Sequence, residues 1–402
     1  MKLDIKRLDI FIKTIFFALA ISLPILSIFF CFTYLIFLKK SENNLKIILS
    51  ILIVFFIFLN LGKDLKGDLI SYLNLLNAFS ISNISDLFLN PQKFLDVAGS
   101  YRPTEGIGYL FYWFLANFVS NSKWFFEITT TVMIYVPLIL GLNKISKLYN
   151  YKINYKYLLC FSFIFIGINF IQTTHLVRQY IAASFFILSL SYLLSSRIYL
   201  FAFFAFISVS FHNSTAMMFL PLILLEFFKS YKIYLKNNIT WIFNFRTVII
   251  LAFCFVGSVL LFINNPAVSL MDNGDISNSA LILDFSLLLL VLLLKFKIFK
   301  NKFEFYIFYL FIILFSITFI YLNFNFKVLA LRIYFFLEFL RPVIAICIFS
   351  HVIKRYKHKL ILHQFFYMLM ISFFLRKAFM YVCMYVYMRF SLCTQMLFAV
   401  AD

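Results

Sequence analysis

Charge is scarce in this chain: of 402 residues only 13% are Asp, Glu, Lys or Arg, while 64% are hydrophobic. Soluble globular domains carry roughly a quarter charged and about half apolar residues, so a water-soluble fold is excluded. Acid is scarcer still, with 16 Asp and Glu against 36 Lys and Arg. No Gly-rich phosphate loop, GxSxG, DxD pair, low-complexity tract or long internal repeat occurs. Nucleotide-using and metal-hydrolase chemistry are therefore disfavoured. The six Cys form no CxxC and have no His at ligand spacing. Lying in or beside apolar runs, they read as small buried hydrophobes and not as disulfides or a metal site. The alternating segments of a β-barrel are missing too. No small-residue cleavage site follows the first apolar run, which is too long for a signal-peptide core, so that run is expected to insert as an anchor.

What the chain has in abundance is long apolar runs: 12–38, 45–61, 106–119, 124–142, 157–171, 179–194, 198–211, 214–228, 247–264, 279–294, 303–322, 328–350, 361–375 and 378–399. A transmembrane helix needs about 20 apolar residues. The expected fold is an all-α polytopic transmembrane helix bundle of about 12–14 membrane segments, some of them re-entrant half-helices, forming one integral membrane domain. The run 106–119 is short; at about 1.5 Å per residue it covers roughly 21 Å of a core of about 30 Å, which suits a half-helix better than a span.

The net charge of +20 is not a nucleic-acid signal, because the Lys residues sit in short clusters between apolar runs. Lys144–Lys156, Arg197, Lys229–Arg246, Lys295–Lys302 and Lys354–Lys359 fall on alternate loops, which the positive-inside bias assigns to the cytoplasm. Thr173–Gln179, His212–Ser214, Asn264–Asn278 and Asn323–Asn325 then face outward. The N-terminal part resists this rule: Lys2, Lys6 and Arg7 are followed one run later by Lys39, Lys40 and Lys46. One set must be outside unless 106–119 or the first run is not a simple crossing, and charge alone leaves the sidedness of 62–105 open. That segment is the one sizeable non-membrane stretch; Leu69, Leu73 and Leu76 recur in it at helical spacing, fitting a short interfacial helix over Asp68–Phe79.

The polar residues that stand out bracket one hairpin. Arg178 lies at the lip of the run that ends near Leu194, and His212 follows the next run, 198–211. Two crossings return the chain to its starting side, so both open on one face. An Arg there usually faces a cavity or an anion, and its planar fork matches phosphate oxygens; the bland alternative is a snorkelling edge residue. Counted from Arg197, the helix before His212 is too short to cross fully, which sinks His212 below the surface. Asn213, Ser214 and Thr215 could simply cap the next helix. Arg332 and Tyr334 share one run with Glu338 and Arg341; the last two, at i,i+3, are expected to form a structural ion pair, leaving Arg332 as a second anion clamp. Asp68 with Tyr72 at i,i+4, and Glu105, are the candidate carboxylates for base chemistry or sugar contacts.

The ordered set resembles the EpsG-like branch of Wzy-type polysaccharide polymerases. It comprises Asp68 with Tyr72, Glu105-Gly-Ile-Gly-Tyr109, Val177-Arg178-Gln179-Tyr180-Ile181-Ala182, Phe211-His212-Asn213-Ser214-Thr215-Ala216 with Pro221, and Arg332-Ile-Tyr334, over roughly 60–340 and not the tail beyond about 350. The resemblance implies a metal-independent, inverting membrane glycosyltransferase without cofactor. It would join undecaprenyl-diphosphate-linked oligosaccharide units at the outer leaflet of a bacterial cytoplasmic membrane, making O-antigen, capsular or exopolysaccharide. It places 62–105 outside, makes Arg178, His212, Glu105 and Asp68 the catalytic set, and gives Arg332, Tyr334, Gln179, Tyr72 and Asn213 to the substrate. Its partners are the lipid-linked oligosaccharide, the bilayer and a chain-length regulator. The rival readings are a flippase of the lipid-linked unit, which would favour internal repeats and polar groups in both leaflets, and another lipid-linked glycosyltransferase or ligase.

Overall fold

The computed structural model describes residues 10–12, 14, 15, 18, 42–61, 68–90, 92–94, 106–148, 176–227, 278–293, 302–324 and 326–355. The expected runs 157–171, 247–264, 361–375 and 378–399, most of 12–38, Glu105, and the side chains of Asp68, Arg332 and Glu338 lie outside the described residues. Every element among the described residues is helical, and three of the helices are long and apolar enough to cross a membrane: Lys123–Leu148, Val177–Leu194 and Glu304–Asn323. The protein is an all-α polytopic membrane protein.

The helices are α1 (Glu42–Leu61), α2 (Asp68–Ser80), α3 (Asp86–Leu89), α4 (Gly106–Phe118), α5 (Lys123–Leu148), α6 (Val177–Leu194), α7 (Ile198–Phe211), α8 (Ala216–Phe227), α9 (Asn278–Leu293), α10 (Lys302–Asn323) and α11 (Lys327–Arg355), with a 3-10 turn at Asn213–Thr215. At the centre stands α6, buried at every position from Val177 to Ser191 except Arg178. Its serines do not offend the apolar surroundings. Ser184, Ser189 and Ser191 donate to carbonyls three or four residues back, at 2.9, 2.9 and 2.6 Å. In a medium without water, such internal pairing is what a buried hydroxyl requires.

The neighbours of α6 fix the direction of each helix. Ser208 on α7 donates to the Ala182 carbonyl at 2.6 Å, and the Tyr192 and Phe204 rings stack 5.3 Å apart. Thus α6 and α7 form an antiparallel hairpin, turned at Ser196, whose φ of 58° is left-handed. Against its other side α5 runs parallel. A Cβ at Gly141 would come within 3.0 Å of the Ile187 and Leu188 backbone, and Lys144 Nζ lies 3.3 Å from the centre of the Tyr192 ring. Only a residue without a side chain lets the two helix backbones approach so closely. On α5 in turn lies α1, antiparallel, through the Phe56–Tyr135 stack at 4.6 Å and a buried bond from Asn60 to Thr131. The α10–α11 hairpin, joined by a short turn, joins the core where Phe335 meets Tyr180 edge-on at 4.8 Å.

Two ends of the bundle follow. One carries Lys46, Lys144 and Arg197; the other carries the starts of α5 and α6 and the end of α7. The helices α2, α3 and α4 lie at that second end. Helix α4 begins against α7, where a Cβ at Gly108 would sit 2.5 Å from the Ser210 carbonyl, and it ends four residues before α5 begins. It does not cross. This brings Lys46 to the same end as Lys144; Lys2, Lys6 and Arg7, and most of the run that separates them from Lys46, lie outside the described residues. The expected helix over Asp68–Phe79 is present as α2, and its apolar face (Leu69, Tyr72, Leu76 and Phe79) is buried in protein against α4.

Candidate active site

Five chain segments meet at the end of the bundle away from Lys144. Arg178, one residue into α6, donates from Nε to the Tyr72 hydroxyl of α2 at 3.0 Å, and its Nη1 donates to the Tyr109 hydroxyl of α4. Both tyrosines are buried. Their rings are held by an aromatic cluster: Tyr72 lies 5.6 Å from Phe126 and 6.0 Å from Tyr112, and Tyr109 lies 6.2 Å from Tyr112 and 6.3 Å from Phe79. Packed rings leave little rotational freedom, so the phenolic oxygens form a fixed mount for the guanidinium. A phenol accepts a hydrogen bond without cancelling the positive charge. The guanidinium is thus held in a fixed orientation.

His212 enters from α7. Its backbone leaves the helix in an extended conformation, with φ −155° and ψ 113°. Its Nδ1 accepts from the Ser214 amide at 3.3 Å and lies 2.9 Å from the Ser214 hydroxyl. The imidazole therefore caps the 3-10 turn, which is the structural role expected of this cluster, here taken by the histidine instead of Asn213. A ring nitrogen that accepts from a backbone N–H carries no proton, so the neutral ring bears its proton on Nε2. The cap fixes the tautomer and presents a donor on the opposite side of the ring. Phe211 ties this corner to α4 through Phe111 at 5.8 Å and Tyr112 at 6.3 Å.

Several of the other expected residues belong to the helices that form this centre, by backbone position or by sequence. Gln179 is buried beside Arg178, and Asn213 sits half-buried in the turn after His212. Asp68 opens α2 one turn before Tyr72, and Glu105 immediately precedes Gly106 at the start of α4. Arg332 lies one turn before Phe335, which contacts Tyr180.

Tyr334 has a protein partner: its hydroxyl accepts from Arg341 Nη2. The expected Glu338–Arg341 pair rests on a side chain outside the described residues. Arg341 grips Asp284 of α9 with Nε–Oδ1 at 2.5 Å and Nη2–Oδ2 at 2.7 Å. Sequence reasoning passed over Asp284, although a lone acid in the apolar run 279–294 was a signal of a buried partner. It also passed over Glu127, which is buried near the start of α5, 3.9 Å from Lys123. Among the described residues no group of three His, Cys, Asp or Glu stands together as a metal site.

The EpsG family model matches residues 48–392. The chain belongs to the EpsG family. This is a family of Wzy-like polysaccharide polymerases, which makes the chain a membrane polymerase of glycosyltransferase type. The match corrects the expected extent on both sides: it begins before residue 60 and takes in most of the tail beyond 350. The tail lacks the ordered polar motifs on which the resemblance rests, so its membership could not be read from them. No curated protein and no solved structure matches the chain.

Proposed function

We propose that this EpsG family member joins undecaprenyl-diphosphate-linked oligosaccharide repeat units into O-antigen, capsular polysaccharide or exopolysaccharide at the outer leaflet of a bacterial cytoplasmic membrane. The observation that carries the proposal is the mounting of Arg178 on two neutral phenols beside His212, at the end of the bundle away from the Lys144–Arg197 end. The positive-inside bias assigns the Lys144–Arg197 end to the cytoplasm, which leaves the arginine on the outer side, where a lipid-linked unit waits.

In the proposed reaction an acceptor sugar hydroxyl attacks the anomeric carbon of the donor. The carbon–oxygen bond to the diphosphate breaks, and its electron pair leaves on the lipid diphosphate. Arg178 meets that growing negative charge, with Arg332 as a second clamp, so the scheme requires no metal. Asp68 or Glu105 takes the proton of the attacking hydroxyl, and a single displacement inverts the anomeric carbon. The Nε2 proton of His212 is positioned to bond a diphosphate or sugar oxygen. Tyr72 and Tyr109 act through Arg178 as positioning residues. A chain-length regulator would dock on the same side, where the polymer emerges.

The cellular test is Arg178→Ala. The variant is expected at normal level in the membrane while single repeat units accumulate and long polysaccharide disappears; normal-length polymer would overturn the assignment. Purified lipid-linked units incubated with the purified protein separate the polymerase from a flippase, because only the polymerase forms a new glycosidic bond.

A further inference from the structure

Two buried polar groups next to Arg178 and His212 have no hydrogen-bond partner. They are Nε2 of Gln179, whose residue is 4% exposed, and Oγ1 of Thr215, whose residue is 0% exposed. The buried serines of the neighbouring turns differ. Ser184, Ser189, Ser191 and Ser208, equally buried on the same helix pair, each donate to a backbone carbonyl. Buried polar groups in a membrane bundle are satisfied as a rule, and an exception calls for a missing partner.

Helical register places the two groups on facing surfaces. Gln179 shares one face of α6 with Ala182, Ala183 and Phe186, three, four and seven residues on. Phe186 packs edge-on against Phe219 of α8 at 5.0 Å, and Ala182 receives Ser208 of α7. Thr215 lies four residues, one turn, before Phe219, and α6 and α8 run inward in parallel from the site end. Thr215 therefore faces the Ala182–Ala183 stretch, with Gln179 a turn above. The alanine methyls offer the Thr215 hydroxyl nothing to bond.

We propose that Gln179 and Thr215 form a neutral subsite for the sugar ring attached directly to the diphosphate, binding its hydroxyl or amide oxygen. This rests on the polymerase reading above. An uncharged amide and hydroxyl suit an uncharged oxygen, while the guanidinium at the adjacent position 178 suits the phosphate. Adjacency in the chain thus matches adjacency in the substrate. Gln179 and Thr215 are specificity residues in this scheme.

The test uses the purified full-length protein in nanodiscs with lipid-linked repeat unit from a polymerase-deleted strain. Thr215→Val keeps shape and removes the unsatisfied hydroxyl. It is expected to keep or raise the unfolding temperature without substrate, to raise KM at least fivefold, and to shrink the substrate-induced thermal shift. Gln179→Leu should behave alike. Ser208→Ala, which removes a satisfied hydroxyl, should lower the unfolding temperature and leave KM unchanged. A Thr215→Val variant that is less stable with wild-type KM and thermal shift would mean that the hydroxyl serves the fold, through a bound water, and would overturn the subsite. Failure of the wild type to form polymer would instead overturn the polymerase reading, and the thermal shift would still decide whether these residues bind the lipid-linked unit.

Discussion

Arg178 and Arg341 are both partly buried arginines that bond a tyrosine hydroxyl, yet their surroundings set them to opposite tasks. Arg341 is locked by Asp284 through two short bonds, and Asp284 is fully sequestered from solvent. The pair cancels its own charge inside the bundle and joins α9 to α11. Arg178 is held by Tyr72 and Tyr109, whose phenols position its guanidinium at the end of the bundle. A buried carboxylate makes Arg341 a strut, whereas phenols at the bundle end orient the Arg178 guanidinium, which the proposed reaction uses to grip an anion.

Breaking the strut should produce the greatest loss of stability. Asp284→Ala leaves a guanidinium without its carboxylate in a low-dielectric bundle, which costs about 3–5 kcal/mol. The expected result is a steep drop in folded protein on detergent thermal unfolding. Replacing both partners by apolar residues, Asp284→Leu with Arg341→Met, should recover most of that stability, since a buried pair and a packed apolar pair of similar volume are often equivalent. Failure of the double variant to recover would show that Arg341 does more than neutralise Asp284.

Next in size comes the contact that brings α4 to the site. In Gly108→Ala the new methyl meets the Ser210 carbonyl, which belongs to the backbone and cannot rotate away. Overpacking of this kind costs about 1–3 kcal/mol. Because Tyr109 is the next residue, polymer synthesis should fall further than thermal stability does, as polymer length and unfolding temperature measured side by side would reveal. Removing the phenolic hydroxyls tests the mount itself. Tyr72→Phe and Tyr109→Phe should each lower turnover roughly tenfold, equivalent to ~1.4 kcal/mol, with little change in unfolding temperature. Tyr334→Phe, at the strut, should leave turnover near the wild-type value.

The smallest effect belongs to an ion pair outside the membrane helices. Lys93 Nζ lies 3.2 Å from Asp86 Oδ2, and this bond, with one from Asn90, holds the Asp86 carboxyl below its usual range. A carboxyl lowered on folding adds stability above its unfolded value, about 3.9, and loses it as the pH falls through the folded value. Asp86→Asn should therefore match the wild type in unfolding temperature at pH 7 to within a degree or so, as expected for an exposed pair. Any small difference should begin to shrink as the pH falls below about 4 and vanish once it is below the folded value. A large effect at pH 7 would blur the distinction drawn here between buried and exposed pairs.

Much of this was legible in the sequence, and the part that was not has a physical reason. The run 198–211 coincides with α7, and the crossing count that put Arg178 and His212 on one face agrees with the α6–α7 hairpin. Apolar runs and their parity are local properties, so they survive in the sequence. The Asp284 partner of Arg341 is not local. Asp284 lies 57 residues distant and meets it through the packing of α9 on α11, whereas helical spacing could offer only Glu338, whose side chain lies outside the described residues. Tyr109 was visible only as part of a family motif, because its bond to Arg178 depends on α4 lying across the bundle end. The unsatisfied hydroxyl of Thr215 could not be read at all: beside Ser214 it looks like one more capping residue, and only the alanines facing it reveal that it lacks a partner.

The most direct test places the two arginines in one assay. Purified Arg178→Ala and the Asp284→Leu, Arg341→Met double variant would be incubated with lipid-linked repeat units, and product length and unfolding temperature measured for each. The expected result is an Arg178→Ala protein that unfolds like the wild type yet makes polymer about 100- to 1000-fold more slowly, the loss typical of removing one transition-state charge contact. The double variant should polymerise within tenfold of the wild type. Polymer made at the wild-type rate by Arg178→Ala would contradict the assignment of that arginine to the diphosphate.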